Sequence, residues 1–270
     1  MIELKSPSQL EIMREAGRIL AEVLEALRQA VVPKVSTLEL NEIAEKTMMK
    51  LGGKPAFKGY RGFPASICAS VNDEVVHGIP STRRLQPGDI IGLDVGVVVE
   101  GYYSDAAVTM PVGEVSPQAA DLIATTETAL EKGIAMARAS RRLSDISHAV
   151  QSYVESRGYS VVREFVGHGI GTQLHELPQI PNFGKPGYGP LLKAGMVLAI
   201  EPMVNEGTPD VEIRSDGWTA VTKDRKLSAH FEHTVAVTED SPEILTQRPK
   251  RPRLRRDSPE QSRGSAVGEM

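Results

Sequence analysis

The sequence predicts an α+β fold in which helices cover one face of a curved antiparallel sheet. Three features carry that expectation. Apolar residues recur at helical spacing in long stretches near the start and the middle of the chain. Two β-rich runs, 89–99 and 102–111, meet at Glu100-Gly101 as a hairpin would. The order helix, helix, strand pair then occurs twice. The second helices of the two halves match at a constant offset of 105 positions, Leu38 with Leu143, Ala44 with Ala149, Met49 with Val154 and Gly53 with Gly158. A duplicated unit with pseudo-two-fold symmetry explains that offset; a chance match is the alternative.

Each element has its own signal. Over 8–31, Leu10, Met13, Ala16, Leu20, Val23, Leu24 and Leu27 share a helical face, and Pro33 ends the run. Ser36 followed by Glu39 is a capping-box pattern, so a second helix runs from about Leu38 to Leu51 and stops at Gly52-Gly53. Residues 65–77 read as extended. Beyond the hairpin lie a long helix, Ser116 to Ala139, and a shorter one, Ser144 to Arg157. From 159 onward the pattern is strands and Gly/Pro-rich loops, with strands at 196–201 and 231–238.

Composition excludes several classes. The chain has 270 residues, 40% hydrophobic and 24% charged, the balance of a soluble globular protein. No run of about 18 apolar residues spans a membrane. The charged, amphipathic start does not read as a secretory signal. Cys68 is the single cysteine, so no internal disulfide forms, which suits a reducing, cytoplasmic setting. Of the 31 Lys+Arg and 35 Asp+Glu, seven and three fall in 248–270, leaving +4 there and −8 on the rest. An acidic body argues against nucleic acid as the main ligand. The division expected is a folded domain over 1–247 and a basic, disordered tail over 248–270.

The hairpin carries the first chemical clue. With Glu100 and Gly101 as its loop, Asp94 falls opposite Ala107 and Asp105 opposite Gly96, so both aspartates share a face as diagonal neighbours, roughly 7–8 Å apart at Cα. Asp94 lies in the apolar run IIGLDVGVVV, where an unpaired carboxylate would cost several kcal/mol. A metal pair about 3.5–4 Å apart suits two converging carboxylates; hydrogen bonds to backbone or an arginine are the alternative. Glu201, closing MVLAIE before Pro202, and Glu232, near the start of FEHTVAVT, repeat the pattern. Either alone also reads as an edge glutamate facing water. His168 in GHGIG, His175 in LHELP and His77 in VVHGIP lie in glycine-rich loops, where surface histidines are common. Oxygen donors with an imidazole suit Mn, Fe(II), Co or Zn, not a thiolate site, and Cys68 reads as packing or pocket lining.

The motifs VNDEVVHGIP, LDVG, GYYSDAAVT, GHGIGTQLHELP, AIEPMV and DGWTAVTKDRKLSAHFEHTV, over residues 1–247, resemble the bacterial type I methionine aminopeptidases. The resemblance implies their pita-bread fold and removal of the N-terminal methionine from nascent proteins, with a small second residue preferred. It implies two divalent metal ions held by Asp94, Asp105, His168, Glu201 and Glu232, with water between the metals attacking the first peptide bond. Glu201 is then the proton acceptor. His175 contacts the substrate carbonyl, and His77 lies near the scissile nitrogen and second residue. Tyr60, Phe63, Cys68, Leu174 and Trp218 form the methionine pocket. Leu174 stands where an aromatic is frequent, Phe63 where a tyrosine is frequent, and His230 where glutamine is common. The family default is a cytoplasmic monomer. The basic tail suggests an RNA contact at the ribosome, with an inert solvated tail as the alternative. A proline-specific peptidase of the same fold and a non-catalytic binding protein are the competing readings.

Overall fold

The structure is a computed structural model that describes residues 2–247; the tail over 248–270 lies outside the described residues. In the first half, α1 (Pro7–Ala30) and α2 (Thr37–Lys50) pack on a sheet of β1 (Lys54–Pro55), β2 (Ile67–Val71), β4 (Ile90–Val99) and β5 (Tyr102–Pro111), with β3 (Glu74–Val76) beside it. Both helices open on reciprocal capping boxes, Ser6 with Gln9 and Ser36 with Glu39. Each box satisfies amides that the first turn leaves without partners. Met13, Ile19, Leu20, Val23 and Leu27 of α1 are at most 1% exposed against the sheet.

The second half repeats the order. Helices α3 (Pro117–Met136) and α4 (Leu143–Ser156) are followed by short strands: β6 (Ser160–Val161), β7 (Gly167–Gly169), β8 (Glu176–Ile180), β9 (Val197–Ile200), β10 (Met203–Asn205), β11 (Val211–Ile213), β12 (Ala220–Thr222), β13 (Ser228–His230), β14 (His233–Ala236) and β15 (Glu243–Ile244). The main sheet here has the order β15-β14-β9-β7-β8. Helices α2 and α4, matched by the offset in sequence, are both 14 residues long.

Two boundaries differ from expectation. Helix α3 stops at Met136 instead of Ala139, because Ala137 leaves helical geometry (ψ 56°) and the Ala139 amide donates to Thr238 outside the helix. The run 231–238 is not one strand. Phe231 and Glu232 lie between β13 and β14, since their amides serve other partners: Phe231 donates to the Pro202 carbonyl, and Glu232 exchanges both backbone bonds with Ala107 of β5. Thr234 Oγ1 donates to the Asp105 carbonyl and accepts from its amide. These bonds join β5 to β14 and carry the sheet from one half into the other.

Candidate active site

Asp94 and Asp105 meet because the turn between their strands is short. Asp94 faces Ala107, Gly96 faces Asp105 and Val99 pairs with Tyr102, the register expected from sequence. Glu100 and Gly101 both take left-handed φ, 48° and 83°, the geometry with which two residues reverse a right-twisted ribbon. Asp105 is 4% exposed.

The second half supplies the facing groups. His168 lies on β7 opposite Ala199 of β9. Its Nδ1 donates to the Gly169 carbonyl at 2.9 Å, which leaves a lone pair on Nε2. That Nε2 is 3.5 Å from Oε1 of Glu201, the residue just past β9. Glu201 Oε2 is 3.6 Å from His230 Nε2. Donor atoms of Asp105, His168 and Glu232 all lie within 4.8 Å of one another, and so do those of Glu201, His230 and Glu232.

The cluster lacks internal compensation. Asp94 Oδ1, Asp105 Oδ1, Glu232 Oε1 and His230 Nε2 are buried without a hydrogen-bond partner among the described residues. Burial pushes the Asp105 and Glu232 carboxyls well above the carboxylate range, and repulsion from neighbouring carboxylates adds to it. Burial raises Glu201 to about 8 and Asp94 to about 6, the latter held back by His230. Burial and the nearby His175 lower His168 to about 3, so its imidazole is neutral, as a metal ligand must be. Orphaned acceptors beside a neutral imidazole fit a hard or borderline divalent cation.

The carboxylates border a cavity of about 180 Å³, which Tyr60, Phe63, Cys68, Leu174 and Trp218 also line, together with His77 and His175. Phe63 meets Trp218 edge-on with centroids 5.1 Å apart. His77 holds a left-handed φ of 61° at the end of β3; such strain in a non-glycine residue persists where the surroundings enforce it. Burial and the nearby His230 and His175 lower its pKa to about 4. All twelve residues singled out in the sequence therefore border one cavity. Phe57 and Arg61 border it as well, and His230 lies behind Glu201; sequence reasoning assigned a role to none of the three. The aromatic spacing of Phe57, Tyr60 and Phe63 was the available signal for the first.

Comparisons with known proteins agree. The signature of metallopeptidase family M24 matches residues 11–239. Methionine aminopeptidase 1 of Bacillus subtilis is 55% identical over 247 residues, 92% of this chain and 100% of that protein. The Clostridium perfringens methionine aminopeptidase is 54% identical, over 91% and 99%. The crystal structure of the Thermotoga maritima methionine aminopeptidase superposes with a TM-score of 0.90 at 48% identity, covering 92% of this chain and all of that one. The prolidase of Pyrococcus furiosus shares the fold alone, at 22% identity and a TM-score of 0.75. With its curved sheet, its duplicated helix pairs and its buried carboxylate cluster, the chain belongs to metallopeptidase family M24, on the branch of the type I methionine aminopeptidases.

Proposed function

We propose that the protein removes the N-terminal methionine from new polypeptides, preferring a small second residue. The observation that carries this reading is one cavity in which an apolar, aromatic-walled pocket adjoins a set of metal-type donors. A methionine side chain suits those walls because its polarizable thioether packs against ring edges. Asp94, Asp105, His168, Glu201 and Glu232 hold two divalent cations of the Mn, Fe(II), Co or Zn class. When bound, such cations lower the pKa of water and polarise a carbonyl oxygen.

The chain's own groups do the rest. Glu201 accepts the proton from the attacking water, its two oxygens flanked by His168 and His230. His175 donates to the substrate carbonyl oxygen, where negative charge develops. His77 faces the scissile nitrogen and the second residue. The 1–247 domain acts as a cytoplasmic monomer on nascent chains, and the basic tail supplies a weak ribosome contact.

Hydrolysis of Met-Ala-Ser and of Ala-Pro, with Mn or Co supplied, tests the activity. Release of methionine from the tripeptide with Ala-Pro left intact is expected. Cleavage of Ala-Pro alone would move the chain to the proline-specific branch of the fold, and no turnover by metal-loaded protein would leave only binding.

A further inference from the structure

Tyr60 is placed as a pocket wall, yet its hydroxyl does something a wall does not need. It lies 2.8 Å from Nδ1 of His175, with ring centroids 5.3 Å apart and planes tilted by 33°. His175 Nε2 makes no hydrogen bond among the described residues. We propose that Tyr60 is a positioning residue that fixes the tautomer of His175, keeping the imidazole proton on Nε2, where it can be donated to a ligand in the cavity. The proposal rests on the reading of His175 as donor to the substrate carbonyl.

A neutral imidazole has one N–H and one lone pair, and the partner of one nitrogen decides which is which. A phenol O–H can donate to a ring nitrogen's lone pair or accept from its N–H. If Tyr60 donates, Nδ1 accepts and Nε2 carries the hydrogen. In the opposite arrangement Nδ1–H would donate to the phenol, and Nε2 would turn a lone pair toward a cavity already lined by Asp94, Asp105, Glu201 and Glu232. That lone pair could not donate to a carbonyl oxygen. An imidazole is mostly neutral at and above pH 7, so the choice of tautomer is a real one.

The local chain is built to hold this geometry. Gly59 and Gly62 take φ of 86° and 91°, with Arg61 between them at 49°, so a tight turn projects Tyr60. The Tyr60 amide donates to the Phe57 carbonyl, and the Phe63 amide donates back to the Tyr60 carbonyl, both at 2.9 Å. Lys58 and Ser66, at either side of the turn, both donate to Glu45 of α2, at 2.8 and 2.6 Å. The Arg61 guanidinium lies 5.4 Å from the centre of the Tyr60 ring. From the other side, Lys5, whose side chain is 1% exposed, pairs with Glu176 at 2.7 Å and anchors the residue after His175. Both partners of the hydrogen bond are thus held before any substrate arrives.

The test uses the zinc-loaded, diamagnetic full-length protein with 15N-labelled histidine, the His175 signals being identified by their loss in His175→Ala. Long-range 15N–1H correlation at neutral pH is expected to show the His175 proton on Nε2. Tyr60→Phe keeps the ring and removes the hydroxyl. It is expected to give a mixture of tautomers and a kcat lower by about tenfold, the scale of one neutral hydrogen bond, with KM changed less than twofold. It should cause no further loss in a His175→Ala background. A wild-type His175 protonated on Nδ1, or a Tyr60→Phe protein with unchanged tautomer and kcat, overturns the proposal. If Tyr60→Phe does not fold, the wild-type spectrum decides. An Nε2 proton together with an unimpaired kcat in His175→Ala would sink the carbonyl-donor reading and leave the tautomer assignment standing.

Discussion

Glu232 has every backbone group satisfied and a side chain with an orphaned oxygen, at 2% exposure. Removing one member of such a cluster changes what the others can hold. We expect Asp94→Ala and Glu232→Ala each to abolish turnover and to lower the metal content measured by elemental analysis; variants that stay fully loaded and active would refute the ligand assignment. The same burial sets a pH dependence. Asp105, Glu232 and Glu201 are raised in the folded state, so each favours folding only while protonated, and that contribution is lost as pH rises toward and through the folded pKa. His77, His168 and His233 are lowered and act in the opposite sense, but only below the ordinary histidine value. Between about pH 7 and 8, up to the folded value of Glu201, the carboxylates therefore decide. Metal-stripped protein should lose thermal stability across that range, and added Mn or Co should flatten the slope; a rising slope without metal would contradict the burial argument. Asp94 and Asp105 were legible in sequence because period-2 alternation and a two-residue turn leave one register. His230 was not, since its place behind Glu201 comes from the pairing of β13 with β10 and from Thr109, whose hydroxyl bonds both the His230 amide and its carbonyl.

At the scale of elements, α1 shows how closely the pieces fit. A Cβ added at Gly17 would lie 2.2 Å from the Leu245 carbonyl oxygen, a backbone atom. Alanine gains roughly 1 kcal/mol of helix propensity over glycine, but overpacking costs typically about 1–3 kcal/mol. Gly17→Ala should therefore lower the denaturation midpoint; a stabilised variant would show that the Leu245 segment can move aside. The amphipathic pattern made α1 legible to within a residue. The contact with Leu245 was not, because nothing in a helical repeat says which distant segment crosses it. The splitting of 231–238 has the same origin. Apolar alternation continues through Phe231 and Glu232, while their amides are taken by Pro202 and Ala107. Period alone cannot report a change of partner.

For the whole molecule, sequence showed the repeated order of elements but not the joint between the halves, which pairs positions more than 100 residues apart, Ala107 with Glu232. Residues 1–247 carry an acidic balance, and residues 248–270 a basic one. A chain ending at Gln247 should cleave Met-Ala-Ser at the full rate and co-sediment less with ribosomes at low salt, since phosphate attraction is screened by salt; undiminished co-sedimentation would remove the tail from that role. The joint also bears on how the site is divided. Asp94 and Asp105 belong to the first helix-and-sheet unit, and His168, Glu201 and Glu232 to the second. Neither unit alone presents more than a fraction of this donor set, so a cation held by the full set would tie the two ends of the chain's folding order together, as a clasp closes a band.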